Sequence, residues 1–186
     1  MATYDYLCKL IIFGDHGVGR TTLEKYLDQI HPIDRRFFQP LFESQDRSVT
    51  GVNYHKKLVE IRRNRLTLQI WVLGNQERFR DLRKMYVKGS SGSILMYDIT
   101  NASSLSRIPE WCEMIAEHCG EIPILLIGNK LDLEEQRAIS EERGREVQRK
   151  NNLSSFMEIS AETGENVEKM FELIGELLLN NSLNNL

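Results

Sequence analysis

Apolar positions along this chain follow two rhythms that alternate almost from end to end. Continuous apolar runs at Leu7–Phe13, Ser93–Ile99 and Ile122–Gly128 have the pattern of strands buried on both faces of a parallel sheet. Val52–Ile61 and Leu66–Leu73 alternate apolar with polar residues instead, which predicts a hairpin turned at Arg63-Asn64-Arg65. A sixth, short strand is predicted at Phe156–Ile159. Helical spacing covers Thr21–Ile30, Ser103–Cys119 (capped by Ser103 or Ser104), Ser140–Lys150 and Glu165–Leu179. Residues 31–50 carry two prolines, mixed charges and no period, so a long loop is expected there. Strand and helix in alternation predict an α/β protein, one sheet with helices on both faces. Ligands should then meet the carboxyl ends of the strands. No repeat or second domain is visible. Residues 1–180 are expected to form one domain, and 181–186 a frayed, Asn-rich tail.

Composition narrows the class. With 186 residues, 41% of them hydrophobic, the chain suffices for one domain with a sizeable core. A net charge of −3 gives no sign of nucleic-acid binding. That charge is unevenly spread: residues 44–88 hold eleven Lys/Arg against four Asp/Glu, and residues 89–186 hold eight against seventeen. Solvated faces are the plainer explanation, and a basic surface for an anionic partner or bound phosphates is the alternative. Cys8, Cys112 and Cys119 have neither metal-ligand spacing nor a disulfide framework, which fits a reducing compartment. There is no membrane-spanning run, no signal peptide, Ala at position 2 and no terminal cysteine. The expectation is a cytoplasmic monomer without a stable membrane anchor.

The first strand runs into Gly14-Asp15-His16-Gly17-Val18-Gly19-Arg20-Thr21, followed by Thr22 and the first helix. This is G-x-x-x-x-G-K-[ST] with arginine in the lysine position. Glycines let consecutive backbone N–H groups curl round a phosphate, and the helix N-terminus favours the anion. Arg20 keeps the positive charge, but its planar fork is not the compact point charge of an ammonium. A tight glycine turn without a ligand is the plainer alternative for this loop alone.

Two later loops add weight. Asn129-Lys130-Leu131-Asp132 follows one buried strand, and Ser160-Ala161-Glu162 follows another. With these motifs in order at strand ends, the chain resembles the Ras superfamily. Gln69-Ile70-Trp71, Gln76-Glu77-Arg78-Phe79, Tyr97-Asp98-Ile99-Thr100 and Thr163-Gly164-Glu165-Asn166-Val167 are Rab-like in pattern. The resemblance spans residues 7–179. It implies a single P-loop G domain, a mostly parallel six-stranded sheet, and binding of GTP and GDP. By it, Asp132 would accept both guanine N–H donors, Lys130 would lie along the ring, and Ala161 would donate its N–H to the guanine oxygen.

Elsewhere the sequence departs from that pattern. Where the family carries D-T-A-G, this chain has Val72-Leu73-Gly74-Asn75. Val72 therefore takes the place of the magnesium-side aspartate, and Asn75 that of the switch glycine. Val49, or Thr50 with a slip of one residue, stands at the switch threonine. Phe42 is a candidate for the base edge, with core or partner packing as its alternative. His16 stands where the family prefers a small residue. Thr21 remains as a metal-facing hydroxyl and Gln76 as the water-positioning residue of the catalytic apparatus. The implied cofactor is guanine nucleotide with magnesium weak or absent, and the implied partner is a protein effector or regulator at the switch face. Two functions follow: a slow GTPase switch, or a nucleotide-loaded binding module that no longer cycles.

Overall fold

The computed structural model describes residues 5–30, 52–74 and 80–184. The elements are β1 (Asp5–Gly14), α1 (Arg20–Ile30), β2 (Val52–Ile61), β3 (Asn64–Leu73), α2 (Arg80–Val87), β4 (Gly92–Asp98), α3 (Ala102–Ser106), α4 (Ile108–Cys119), β5 (Ile124–Asn129), a 3₁₀ turn (Leu131–Gln136), α5 (Glu141–Lys150), β6 (Ser155–Ile159) and α6 (Val167–Asn184). The strands form one sheet in the order β2-β3-β1-β4-β5-β6. The β2–β3 pair is antiparallel and the other pairs are parallel.

Side-chain alternation in β1 divides the core between the two faces. Leu10 and Ile12 join Leu23 and Leu27 of α1 with Met170, Phe171 and Ile174 of α6. Ile11 and Phe13 join Val87 of α2, Leu105 of α3, and Trp111 and Ile115 of α4, with Val147 of α5 at the margin. Phe13 stacks on Trp111 at 5.3 Å between centroids, an arrangement that contributes about 0.5–1.5 kcal/mol beyond area burial. Every residue of β4 is buried, as a strand covered on both faces requires.

The inward face of β2 is partly charged. Lys57 is 3% exposed, and its ammonium lies 2.9 Å from the Glu168 carboxylate and 5.2 Å from the Phe171 ring centroid. His55 sits between Glu24 and Asp28 of α1, at 3.4 and 3.3 Å.

Three local expectations are corrected. The hairpin turns at Arg62-Arg63, one residue earlier than predicted, because Ile61 already pairs with Asn64. Both arginines have positive φ (50° and 69°), as a two-residue turn matched to strand twist demands. The helix expected over 103–119 is two helices: the backbone bends at Arg107, Pro109 follows in the first turn of α4, and Asn101 rather than a serine caps α3. The C-terminal helix runs to Asn184, past the Leu179 expected as its end, so residues 181–184 are helical rather than frayed.

Candidate functional site

The loop between β1 and α1 curls tightly at the carboxyl end of the sheet. Gly17 and Gly19 have φ of +82° and +95°, the left-handed region that favours glycine. A Cβ on Gly19 would lie 2.1 Å from Asn129 Nδ2, so nothing larger than hydrogen fits. His16 and Gly17 are exposed at the loop's crest, whereas Val18 is buried and offers only its backbone. The Asp15 carboxylate turns to Arg107 between α3 and α4, at 2.9 Å. Arg20 donates from Nη1 to the Leu73 carbonyl at the end of β3. Thr21 is exposed on the first turn of α1, and Thr22 is half-buried behind it. A glycine turn that opens directly onto a helix N-terminus is an arrangement that suits an anion.

Asn129, the last residue of β5, ties the loops together. It is 1% exposed; its Nδ2 donates to the Val18 carbonyl at 2.8 Å, and its Oδ1 accepts the Ala161 N–H at 2.9 Å. The N–H expected to reach a guanine oxygen is therefore held by Asn129, and a base must share that donor or take it over. Lys130 adopts a left-handed conformation (φ 76°) that brings its ammonium 2.6 Å from the Asp98 carboxylate. Burial pushes the Asp98 carboxyl up, but hydrogen bonds from Lys130 and from the N–H and hydroxyl of Thr100 outweigh it, and the group is held below the ordinary carboxylate range. Asp132 is exposed and accepts a hydrogen bond from the Ser160 hydroxyl, which in turn accepts the Thr163 N–H at 3.1 Å. Ser160 and Ala161 are buried, and Glu162 is exposed.

The structure thus brings the phosphate loop, Asn129, Lys130, Asp132, Ser160 and Ala161 to one end of the sheet. Two contributors escaped the sequence reading. Asp98 was visible in Tyr97-Asp98-Ile99-Thr100 but carried no assigned role. Arg107 lies 92 residues from Asp15, and no motif marks it.

The side expected to hold metal is different in character. Val72 is 5% exposed within the apolar cluster, beside its strand partner Ile12. Among the described residues no group of three or more His, Cys, Asp or Glu could hold a metal ion. The side chain of Val72 offers no oxygen to magnesium, which demands a near-octahedral oxygen shell. Phe42, Val49, Thr50, Asn75 and Gln76–Phe79 lie outside the described residues.

A Ras family profile matches residues 9–180 of the chain. Ras-related protein Rab-10 of Diplobatis ommata is 36% identical over 178 residues, covering 95% of this chain and 84% of that protein. Ras-related protein Rab-30 of Homo sapiens is 36% identical over 191 residues, covering 100% and 89%. Ras-related protein Rab-8A of Bos taurus is 37% identical over 170 residues, covering 91% and 77%.

Proposed function

The chain belongs to the Ras family of GTP-binding proteins, and on that premise we propose that it is a guanine-nucleotide-loaded, partner-binding module in which GTP hydrolysis is weak or lost. The observation that carries this reading is Val72, buried in hydrocarbon at the magnesium side while the base-side loops are fully tied together. Phosphoryl transfer depends on metal and fixed charges at the transition state, and Val72 brings hydrocarbon where the family carries the magnesium-side aspartate. On the base side, Asp132 accepts the guanine donors, Ser160 holds that carboxylate in place, and the Lys130 stem supports the ring while Asp98 anchors its charge.

Partner binding falls to the hairpin face. Tyr54 and Trp71 meet at 5.1 Å between ring centroids and Trp71 and Tyr86 at 5.4 Å, beside Met85, which is 57% exposed. Partly exposed Trp and Tyr of this kind anchor protein interfaces. Among the described residues no helix is long and apolar enough to cross a membrane, and we place the protein in the cytoplasm as a monomer. A slow, still-active switch is the second reading, favoured by Gln76.

Base selectivity tests the proposal. Asp132→Asn leaves an oxygen to accept from Ser160 but turns the other acceptor into a donor. Guanine nucleotides should then bind at least tenfold more weakly and xanthine nucleotides more tightly, tenfold being about 1.4 kcal/mol. Equal affinity of the parent for ATP and GTP would sink it.

A further inference from the structure

The turn that carries Asp132, residues 131–136, has no buried residue, and Leu133 within it departs from helical angles. Apolar packing therefore does not set its position against the sheet. Arg137, which ends the turn, is half-buried, and its guanidinium grips the turn on one side and β6 on the other. We propose that Arg137 is a positioning residue for guanine recognition: one rigid fork fixes where the Asp132 carboxylate stands relative to Ser160 and Ala161. The inference rests on the guanine-nucleotide reading above and deepens it.

The contacts account for every donor the side chain has. Nε donates to the two Glu134 oxygens at 2.9 and 3.0 Å, and Nη2 to one of them at 2.6 Å. Nη1 and Nη2 meet the two Glu158 oxygens at 2.8 and 2.7 Å, the paired geometry in which a planar guanidinium matches a carboxylate. The remaining Nη1–H reaches the Ile139 carbonyl at 2.9 Å. All five N–H donors of the guanidinium thus have acceptors, so Arg137 acts on a base through its neighbours rather than by touching it.

Those neighbours close a ring with the base-reading groups. Glu158 lies in β6 two residues before Ser160, and the Ser160 hydroxyl donates to the Asp132 carboxylate. Asp132 in turn stands two residues before Glu134 on the turn. The chain beyond Arg137 is fixed as well: the Ala138 and Ile139 N–H groups donate to the Ile99 carbonyl at 2.9 and 3.0 Å, next to Asp98, which holds Lys130. The Glu158 side chain is 9% exposed, so without the guanidinium a buried carboxylate is left unpaired and must move or draw in water. Either response shifts the end of β6 or the turn, and with it the acceptors presented to the base. Lysine is no substitute, since three donors on a compact ammonium do not hold two carboxylates and a carbonyl in one plane.

The test titrates the nucleotide-free full chain with fluorescent N-methylanthraniloyl derivatives of GDP, IDP and ADP. Inosine lacks the exocyclic amine of guanine, so the GDP-to-IDP ratio reads one of the two donors that Asp132 accepts. The parent should favour GDP over IDP by about tenfold or more. Arg137→Lys should weaken GDP about tenfold and IDP no more than about threefold, which narrows the ratio. In the Asp132→Asn background the same change should alter GDP binding less than about twofold, because the residue acts through that carboxylate.

An Arg137→Lys variant that binds GDP like the parent would overturn the inference. So would equal losses for GDP and IDP, or an undiminished loss in the Asp132→Asn background, since a mere brace of the fold gives both. In these cases the guanine reading survives. A parent that binds ADP as well as GDP defeats both. Should Arg137→Lys fail to fold, Glu158→Gln, which keeps the shape and removes the charge, must narrow the ratio in its place; an unchanged ratio there overturns the inference.

Discussion

Asn129→Ala removes one donor and one acceptor from the junction of three loops. The Ala161 N–H and the Val18 carbonyl, on residues 3% and 1% exposed, then lose their partners. A buried polar group left unsatisfied costs about 1–3 kcal/mol, so the pair should cost about 2–4 kcal/mol after local relaxation. For a chain of this length that corresponds to a fall of about 5–15 °C in Tm, measurable by calorimetry without nucleotide. Asn129→Asp should be no better: it keeps the acceptor for Ala161 but sets an oxygen against the Val18 carbonyl. Gly19→Ala makes the reasoning sharper, because its Cβ would meet Asn129 Nδ2 at 2.1 Å. In the parent this substitution brings both that clash and left-handed strain of about 1–2 kcal/mol. In the Asn129→Ala background only the strain remains. The double variant should therefore be less damaged than the sum of the singles by about 1 kcal/mol or more. Strict additivity, or an Asn129→Ala loss below about 0.5 kcal/mol, would show that Asn129 does not hold the loops.

Two further predictions concern charge and turnover. The folded Asp98 carboxyl is depressed, so its stabilising effect is present above the ordinary value of 3.8 and is lost as pH falls through the folded value. Asp98→Asn should destabilise the protein most near neutral pH and progressively less well below pH 3.8; an equal loss at both ends would contradict the assignment. Single-turnover GTP hydrolysis should lie at or below about 10⁻⁴ per second, the slow range of unassisted family members. A readily measured rate that disappears in Gln76→Leu would favour the switch reading instead.

Much of the architecture was legible because it rests on periodicity and on spaced motifs. The apolar run Ile122–Gly128 with Asn129-Lys130-Leu131-Asp132 behind it announces both a buried strand and the loop at its end. What sequence hid was of two kinds. Some features are local competitions: Pro109 breaks one helical pattern into α3 and α4, while Asn101 outcompetes two serines as cap. The chain past Leu179 has no Gly or Pro to stop it, and α6 continues, with the Ser182 hydroxyl bonded back to the Leu178 carbonyl at 3.0 Å. Other features are long-range pairings between residues of ordinary type, such as Asp15 with Arg107 or Arg20 with Leu73. Neither the Ala161 N–H held by Asn129 nor the reach of Arg20 could be read from spacing, since each depends on how separate strands end side by side.

β2 is ten residues long and forms one margin of the sheet, and such margins are templates on which foreign strands can grow. Lys57, buried on its inner face, changes what that margin will accept. Side chains alternate faces with a period of two, so a slip of one residue would turn Lys56, Leu58 and Glu60 inward and send Lys57 into solvent. In the direction that brings Leu58 to this place, Glu168 would meet an apolar side chain and the ring of Phe171 would lose its cation. An intruding strand without a lysine at this height fares no better. The ion pair at the core's border thus acts less as a fastening than as an address, marking the one strand and the one alignment that belong there.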